Sequence, residues 1–335
     1  MDMGRRINYS RLMLKWVFLG CLVGYVAVVA ATFLIGDEGR VKAELKREMA
    51  DTVAPVIELR GGEAMSMAVG DKLVEPGFEV YDDRAWPEVT LESAVDVGRP
   101  GEYEIKYTAA DGNGNVAEKV RRVKVVEPAG RIYLTFDDGP SEYTAGLLDK
   151  LKKYGVRATF FVTGYGDDAM IQREHNEGHT VAIHTSSHVY ANIYTSVENY
   201  EADFRLVEER IRRLTGEKPN LMRFPGGSSN LVSAYYDGGK HIMSQLVNLV
   251  GEWGYSYFDW NVDSGDAGAA STADAVYDNV VNTLKWGGDS VILQHDTKGY
   301  SVEAVERIIQ YGLEHDFVFD GLDKESFAAR HRVNN

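Results

Sequence analysis

The chain has 335 residues, with 36 Lys and Arg against 51 Asp and Glu and a formal net charge of -15. That length exceeds what one core ordinarily organises, so more than one domain is expected, and an apolar share of 44% excludes a mainly disordered chain. The acidic balance excludes a protein that grips nucleic-acid phosphates, and the single cysteine, Cys21, excludes an internal disulfide.

Taken in order, the first predicted element is a membrane span. No residue from Trp16 to Gly36 is charged, and at the helical rise that run reaches roughly 30 Å, the thickness of a bilayer's hydrocarbon core. Arg5, Arg6, Arg11 and Lys15 precede it with only Asp2 opposing them, which keeps the N-terminus cytoplasmic and the rest outside. A cleaved signal peptide is the competing reading. Its apolar region would be shorter and end at small residues, whereas Phe33, Leu34 and Ile35 follow Ala30 and Ala31 here. Residues 1–36 are therefore expected to be a cytoplasmic stub and anchor, and the charged, helix-favouring residues 37–52 a short stalk.

Residues 53–127 change to short alternating runs: 56–59, 78–80, 89–91, 103–107 and 116–126, separated by Gly, Pro, Asp and Asn. This pattern predicts a small antiparallel β-sandwich. The stretch from Pro100-Gly101-Glu102-Tyr103 to Asp111-Gly112-Asn113-Gly114-Asn115 resembles bacterial immunoglobulin-like modules of surface proteins. A calcium loop at Asp111 lacks its downstream acidic ligand, so a hairpin turn is expected there.

Beyond a joint at 128–130, β-rich runs at 131–136, 158–163, 180–184, 221–224, 255–260, 290–295 and 317–319 alternate with helical periodicity, as in Phe204, Val207, Ile211 and Leu214. Seven such repeats predict a parallel-stranded α/β barrel over 131–325, whose chemistry would collect at the carboxyl ends of the strands. The first strand ends in two adjacent carboxylates, Asp137 and Asp138, which repel unless a cation divides their roles. The third ends in His184-Thr185-Ser186-Ser187-His188, an i, i+4 pair on an expected helical turn. With Asp138 the two imidazoles make a zinc-type set of two nitrogens and one oxygen with an open position. The fourth ends in Arg223-Phe224-Pro225-Gly226-Gly227, which lacks the Lys and spacing of a nucleotide-binding P-loop. The fifth supplies Asp259, Trp260, Asp263 and Asp266. The sixth supplies Leu293 and His295, and a carboxylate beside that histidine is what an oriented acid-base pair needs.

These five motifs, in this order, resemble those of the polysaccharide deacetylase (NodB-homology, carbohydrate esterase 4) family. The resemblance implies a distorted (β/α)7 barrel and a divalent metal, Zn2+ or a similar ion such as Co2+, on Asp138, His184 and His188. It implies Asp137 as the base acting on water, Arg223 orienting it, and His295 as the acid. It implies Asp266 or Asp263 behind His295, and Pro225, Gly226, Trp260 and Leu293 lining the substrate. Ala267 stands where the family often has Trp after the fourth motif's last Asp, which leaves the choice between Asp263 and Asp266 open.

An anchor, a stalk and a sandwich would hold the barrel in the wall zone of a bacterium. N-acetylglucosamine of peptidoglycan is then the first expected substrate, and another exopolysaccharide or an O-acetylated glycan the alternative. A noncatalytic glycan-binding surface protein is the rival class, and it has no need of a three-ligand set plus two proton-transfer groups. Neither nucleic acid nor nucleotide is an expected partner.

Overall fold

The computed structural model describes residues 51–84 and 86–335. The expected anchor over 16–36 and nearly all of the stalk over 37–52 lie outside the described residues, among which no helix is long and apolar enough to cross a membrane.

Two sheets form the first unit. Strands β1 (Val56–Leu59) and β3 (Phe78–Tyr81) pair antiparallel, and β2 (Ala64–Ala68), β6 (Val116–Val126), β5 (Gly101–Ala110) and β4 (Glu88–Ser93) follow one another across the second sheet. Alternating residues meet between the sheets, with Ile57, Leu59, Met67, Ile105, Tyr107, Ala109, Val123 and Val125 at the core. The sandwich is not purely antiparallel as expected, because β2 runs parallel to β6, Ala64 opposite Arg122. Strand β2 reads Ala-Met-Ser-Met-Ala, which lacks the β-branched residues that mark a strand. Asp111 accepts the amides of Asn113 and Asn115 at 2.8 and 2.9 Å, the turn that joins β5 to β6. The Asp51 and Asp82 carboxylates approach it.

The second unit is a parallel sheet with helices packed on one side. In order come β7 (Gly130–Asp137), α1 (Thr144–Tyr154), β8 (Thr159–Val162), α2 (Asp168–Asn176), β9 (Thr180–Ile183), α3 (Tyr190–Ile193) and α4 (Val197–Thr215). Then follow β10 (Leu221–Met222), α5 (Ile242–Glu252), β11 (Ser256–Tyr257), β12 (Val262–Asp263), α6 (Ala273–Val281), β13 (Asp289–His295), α7 (Gly299–Glu314) and β14 (Phe317–Phe319). The sheet runs β11-β10-β9-β8-β7-β13-β12, with β14 on the free end of β7. Its end strands β11 and β12 do not pair with each other, so the distorted seven-stranded barrel expected takes the form of an open half-barrel. Strand β12 is an addition, two residues long and too short to show a period. Caps agree with local chemistry: Asp167, Ser196 and Thr272 accept amides at the starts of α2, α4 and α6, and Gly155 ends α1 at φ 62°.

Alternation along the central strand places the site. Ile132, Leu134 and Phe136 enter the core under the helices, while Tyr133 joins Phe161, Phe258 and Val291 in a second cluster on the sheet's other face. Two-residue periodicity then puts Asp137 on that inner face at the strand's carboxyl end. Leu293 and His295 share a face of β13 for the same reason, and the β13–β7 register sets His295 opposite Asp137.

The tail from 323 to 335 folds back over the same end. Asn335 Nδ2 donates to Ser233 and Asp237, and the amide and hydroxyl of Ser244 donate to the Asn335 carbonyl. The two units meet through Arg131–Asp71 and Lys124–Asp316 ion pairs. A cleft of about 330 Å³ lined by Glu58, Arg60, Lys152 and Arg173 lies between them and contains none of the strand-end residues described next.

Candidate active site

Asp137 is buried at the end of β7, where Arg223 Nη1 donates to its Oδ1 at 2.8 Å. Arg223 is itself fully buried just after β10. Its remaining donors go to Thr135 Oγ1 and to the carbonyls of Phe258 and Asp259, and its guanidinium lies 4.3 Å from the Phe161 ring centroid. Four of the five N–H donors of the guanidinium are thus engaged, which fixes the Asp137 carboxylate in one orientation.

Asp138 follows with φ 74°, a left-handed conformation. Its Oδ1 is 3.5 Å from His184 Nε2 and 3.4 Å from His188 Nε2. His184 Nδ1–H donates to the Arg223 carbonyl at 2.8 Å, which leaves the Nε2 lone pair pointing at Asp138. Residues 184–188 form a loop after β9, not the helical turn expected. The loop is held by Asp203 of α4, whose carboxylate accepts the amides of Ser186 and Ser187 at 2.5 and 3.1 Å, and His188 completes the approach with φ 51°.

The three side chains fit a divalent cation on evidence internal to the protein. Their ligand atoms lie within 4.8 Å of one another. Asp138 Oδ1 is buried without a hydrogen-bond partner, a costly arrangement that a cation among the three would relieve.

His295 stands across this cluster, its Nε2 3.9 Å from Asp138 Oδ2. Its Nδ1–H donates to Asp266 Oδ1 at 2.8 Å and its amide to Asp266 Oδ2 at 2.7 Å. Asp266, not Asp263, is thus the carboxylate behind the histidine. Asp263 pairs opposite Leu293 in the β12–β13 register, sits exposed, and accepts only the Gly265 amide among the described hydrogen bonds. Burial disfavours the imidazolium, but the Asp266 hydrogen bond and the charges of Asp137, Asp266 and Asp138 outweigh it, and the His295 pKa is pushed up to about 9. Burial likewise opposes the Asp266 carboxylate, yet the bond from His295 holds its pKa below the usual value.

The Gly226-Gly227 loop needs its glycines, with φ 76° and 77°. A Cβ on Gly226 would meet Asn230 and the Tyr190 hydroxyl at 3.2 and 3.3 Å, and one on Gly227 would meet the Trp260 ring at 3.0 Å. Tyr194 Oη donates to the Pro225 carbonyl at 2.7 Å. Trp260 therefore lies against the loop, as does Tyr190, whose ring centroid is 5.3 Å from that of His188.

Sequence reasoning missed what supports this loop. The buried Asp259 accepts the Ser228 amide at 2.7 Å, the Ser228 hydroxyl at 2.5 Å and the His331 amide at 2.8 Å. His331 Nε2–H donates to the Trp260 carbonyl at 2.7 Å, so its Nδ1 is free to accept the Ser229 hydroxyl at 3.1 Å. Asp296, next to His295, is fully buried with Oδ1 unpartnered, and burial pushes its pKa up to about 7. Asp259 lay in a quoted motif and could have been noticed; nothing in the local pattern marks His331, Asp203 or Asp296.

Comparison with known proteins agrees with this geometry. A polysaccharide deacetylase family model matches residues 124–237, and one for the Ig-like domain of bacterial surface proteins matches 57–125. The chain is 34% identical over 206 residues to a peptidoglycan-N-acetylglucosamine deacetylase of Bacillus cereus, covering 58% of this chain and 70% of that protein. Among solved structures, the catalytic domain of peptidoglycan N-acetylglucosamine deacetylase from Eubacterium rectale superposes with a TM-score of 0.59 at 49% identity, over 61% of this chain and 94% of that one. A polysaccharide deacetylase from Bacillus cereus does so at 0.52 and 31%, over 59% and 95%.

Proposed function

The chain belongs to the polysaccharide deacetylase family, carbohydrate esterase family 4, and from that premise we propose that it removes the N-acetyl group from N-acetylglucosamine in peptidoglycan with a zinc-class ion bound to Asp138, His184 and His188. The observation that carries this reading is the pairing of Asp137 with His295 on neighbouring strands, with the Asp138–His184–His188 cluster beside both. The choice of polymer is supported by the relatives named for peptidoglycan. A location in the wall zone is supported by the uncharged run at 16–36 and the basic residues before it.

When bound, the ion would supply Lewis acidity, polarising the acetyl carbonyl and acidifying a water beside it. Asp137, oriented by Arg223, takes a proton from that water as its oxygen attacks the carbonyl carbon. The Gly226 amide stabilises the negative charge on the former carbonyl oxygen. His295, held by Asp266 through its Nδ1–H, gives a proton from Nε2 to the sugar nitrogen as the carbon–nitrogen bond breaks. The products are acetate and a free amine. Leu293, two residues before His295 on the same face, lines the space for the acetyl methyl, with Pro225 and Trp260 on the loop side.

Mass analysis of peptidoglycan fragments and of O-acetylated glycans, after incubation with zinc-loaded full-length protein in detergent, tests this. The expected result is a free amine on glucosamine with equimolar acetate. Release from ester-linked acetyl groups alone would replace this reading with that of an O-deacetylase.

A further inference from the structure

We propose that Asp296 is a positioning residue that clamps the turn after β7 and so holds Asp138 where it can bind the ion. The inference rests on the metal-site reading above and concerns a side chain that touches neither substrate nor ion. Asp138 holds φ 74°, a conformation that a non-glycine residue keeps only where its surroundings over-determine it. One part of those surroundings is Thr163, whose amide donates to the Gly139 carbonyl at 3.0 Å. The other is Asp296. A Cβ on Gly139 would run into the Asp296 carboxylate, so the carboxylate lies directly against the residue that follows the ligand. Thr144 Oγ1 donates to Asp296 Oδ2 and accepts the Ser141 amide at 2.7 Å. Ser141 Oγ in turn donates to the Asp296 carbonyl at 2.6 Å. Residues 139–144 are thereby closed onto the end of β13, beside His295. The same clamp sets the separation between the ligand Asp138 and the proton donor His295. Side chains that orient metal ligands from behind typically change affinity by about 10- to 100-fold when removed.

The test measures zinc affinity of the full-length protein by chelator competition, together with the visible absorption of the cobalt-loaded form, whose bands report ligand geometry. Asp296→Ala, which removes the support under Gly139, is expected to weaken binding by about 10- to 100-fold. Thr144→Val, which keeps shape but loses the hydroxyl, is expected to weaken it less and to shift the cobalt bands. Thr144→Ser is expected to restore both, and Asp296→Asn, which keeps shape and an acceptor, to bind close to wild type. Wild-type affinity and spectrum in both Asp296→Ala and Thr144→Val would overturn the clamp. So would equal losses in Asp296→Asn and Asp296→Ala, since the effect would then be one of charge. A wild-type protein that binds no ion would instead overturn the metal reading, a result that these variants cannot imitate.

Discussion

Arg121 in the sandwich and Arg223 in the half-barrel are both fully buried, and what surrounds each separates architecture from chemistry. Arg121 meets Glu75 at 2.8 Å, the Tyr107 hydroxyl, and the carbonyls of Gly62 and Gly77. All of these tie strand β6 to its own unit. Arg223 likewise has four polar partners, but its carboxylate partner lies beside a second one, Asp138, that has a buried oxygen without a hydrogen bond and two imidazoles facing it. Burying an ion pair costs desolvation in both places. In the sandwich the return is a fixed loop, whereas in the half-barrel it is an oriented group left poised at a strand end.

The largest expected effect tests the chemical side of that contrast. Asp137→Asn is predicted to keep zinc by elemental analysis yet lose about 10²- to 10⁴-fold in acetate release, because the isosteric amide cannot accept the water's proton. Near-full turnover would show that Arg223 serves architecture alone, as Arg121 does.

Next comes the architectural side. Arg121→Ala leaves the partly exposed Glu75 carboxylate and the buried Tyr107 hydroxyl without their cation, and is predicted to destabilise the sandwich by about 1–3 kcal/mol. Calorimetry of the full chain should show a lowered first transition, with acetate release from a soluble chito-oligosaccharide unchanged at a temperature below it.

A third prediction sharpens the contrast through pH. The half-barrel's buried His179 accepts the Ala158 amide on Nδ1, and burial pushes its pKa down to about 3. Unfolded, it would titrate near 6.5. The unfolded state therefore binds a proton that the folded state refuses, so stability is lost as pH falls from about 6.5 toward 3. His179→Gln should flatten that part of the pH dependence of the half-barrel transition. Residues 53–127 contain no histidine, so the sandwich transition should not respond to the substitution. An identical pH profile in wild type and variant would remove His179 from the account.

The smallest effect concerns the tail. His331→Phe keeps a ring against Trp260 but loses the bonds to the Trp260 carbonyl and Ser229. It is predicted to lower kcat/KM by roughly 2- to 30-fold, as the loss of one or two neutral hydrogen bonds allows, with zinc content unchanged. His331→Gln should recover part of the loss through its amide donor. No change in either variant would make the tail's contact with the loop incidental.

Much of the fold was legible because it is local. The alternation in Ile132-Tyr133-Leu134-Thr135-Phe136 marks a strand whatever surrounds it, and Phe204, Val207 and Ile211 mark a helix face. Strand β2 was not legible, since Ala-Met-Ser-Met-Ala is extended only through its partner β6. The two-residue strands β10, β11 and β12 owe their pairing to neighbours rather than to composition.

The sequence by itself determined which residues reach the strand ends, because each apolar run stops at a polar one without reference to other segments. Asp137, Asp138, His184, His188, Arg223 and His295 stand out in this way, whereas the role of Leu293 came from the family resemblance. Tertiary structure alone decided which of these residues meet. Asp263 and Asp266 lie three residues apart with nothing in the sequence to choose between them, and the β12–β13 register, with Asp263 opposite Leu293, leaves Asp266 as the partner of His295. Asp259 gains its role only because His331 arrives from 72 residues away, and Asp296 only because the turn after β7 closes on it from across the sheet. Contacts between distant segments depend on strand order and register, which many sequences can satisfy and none displays locally.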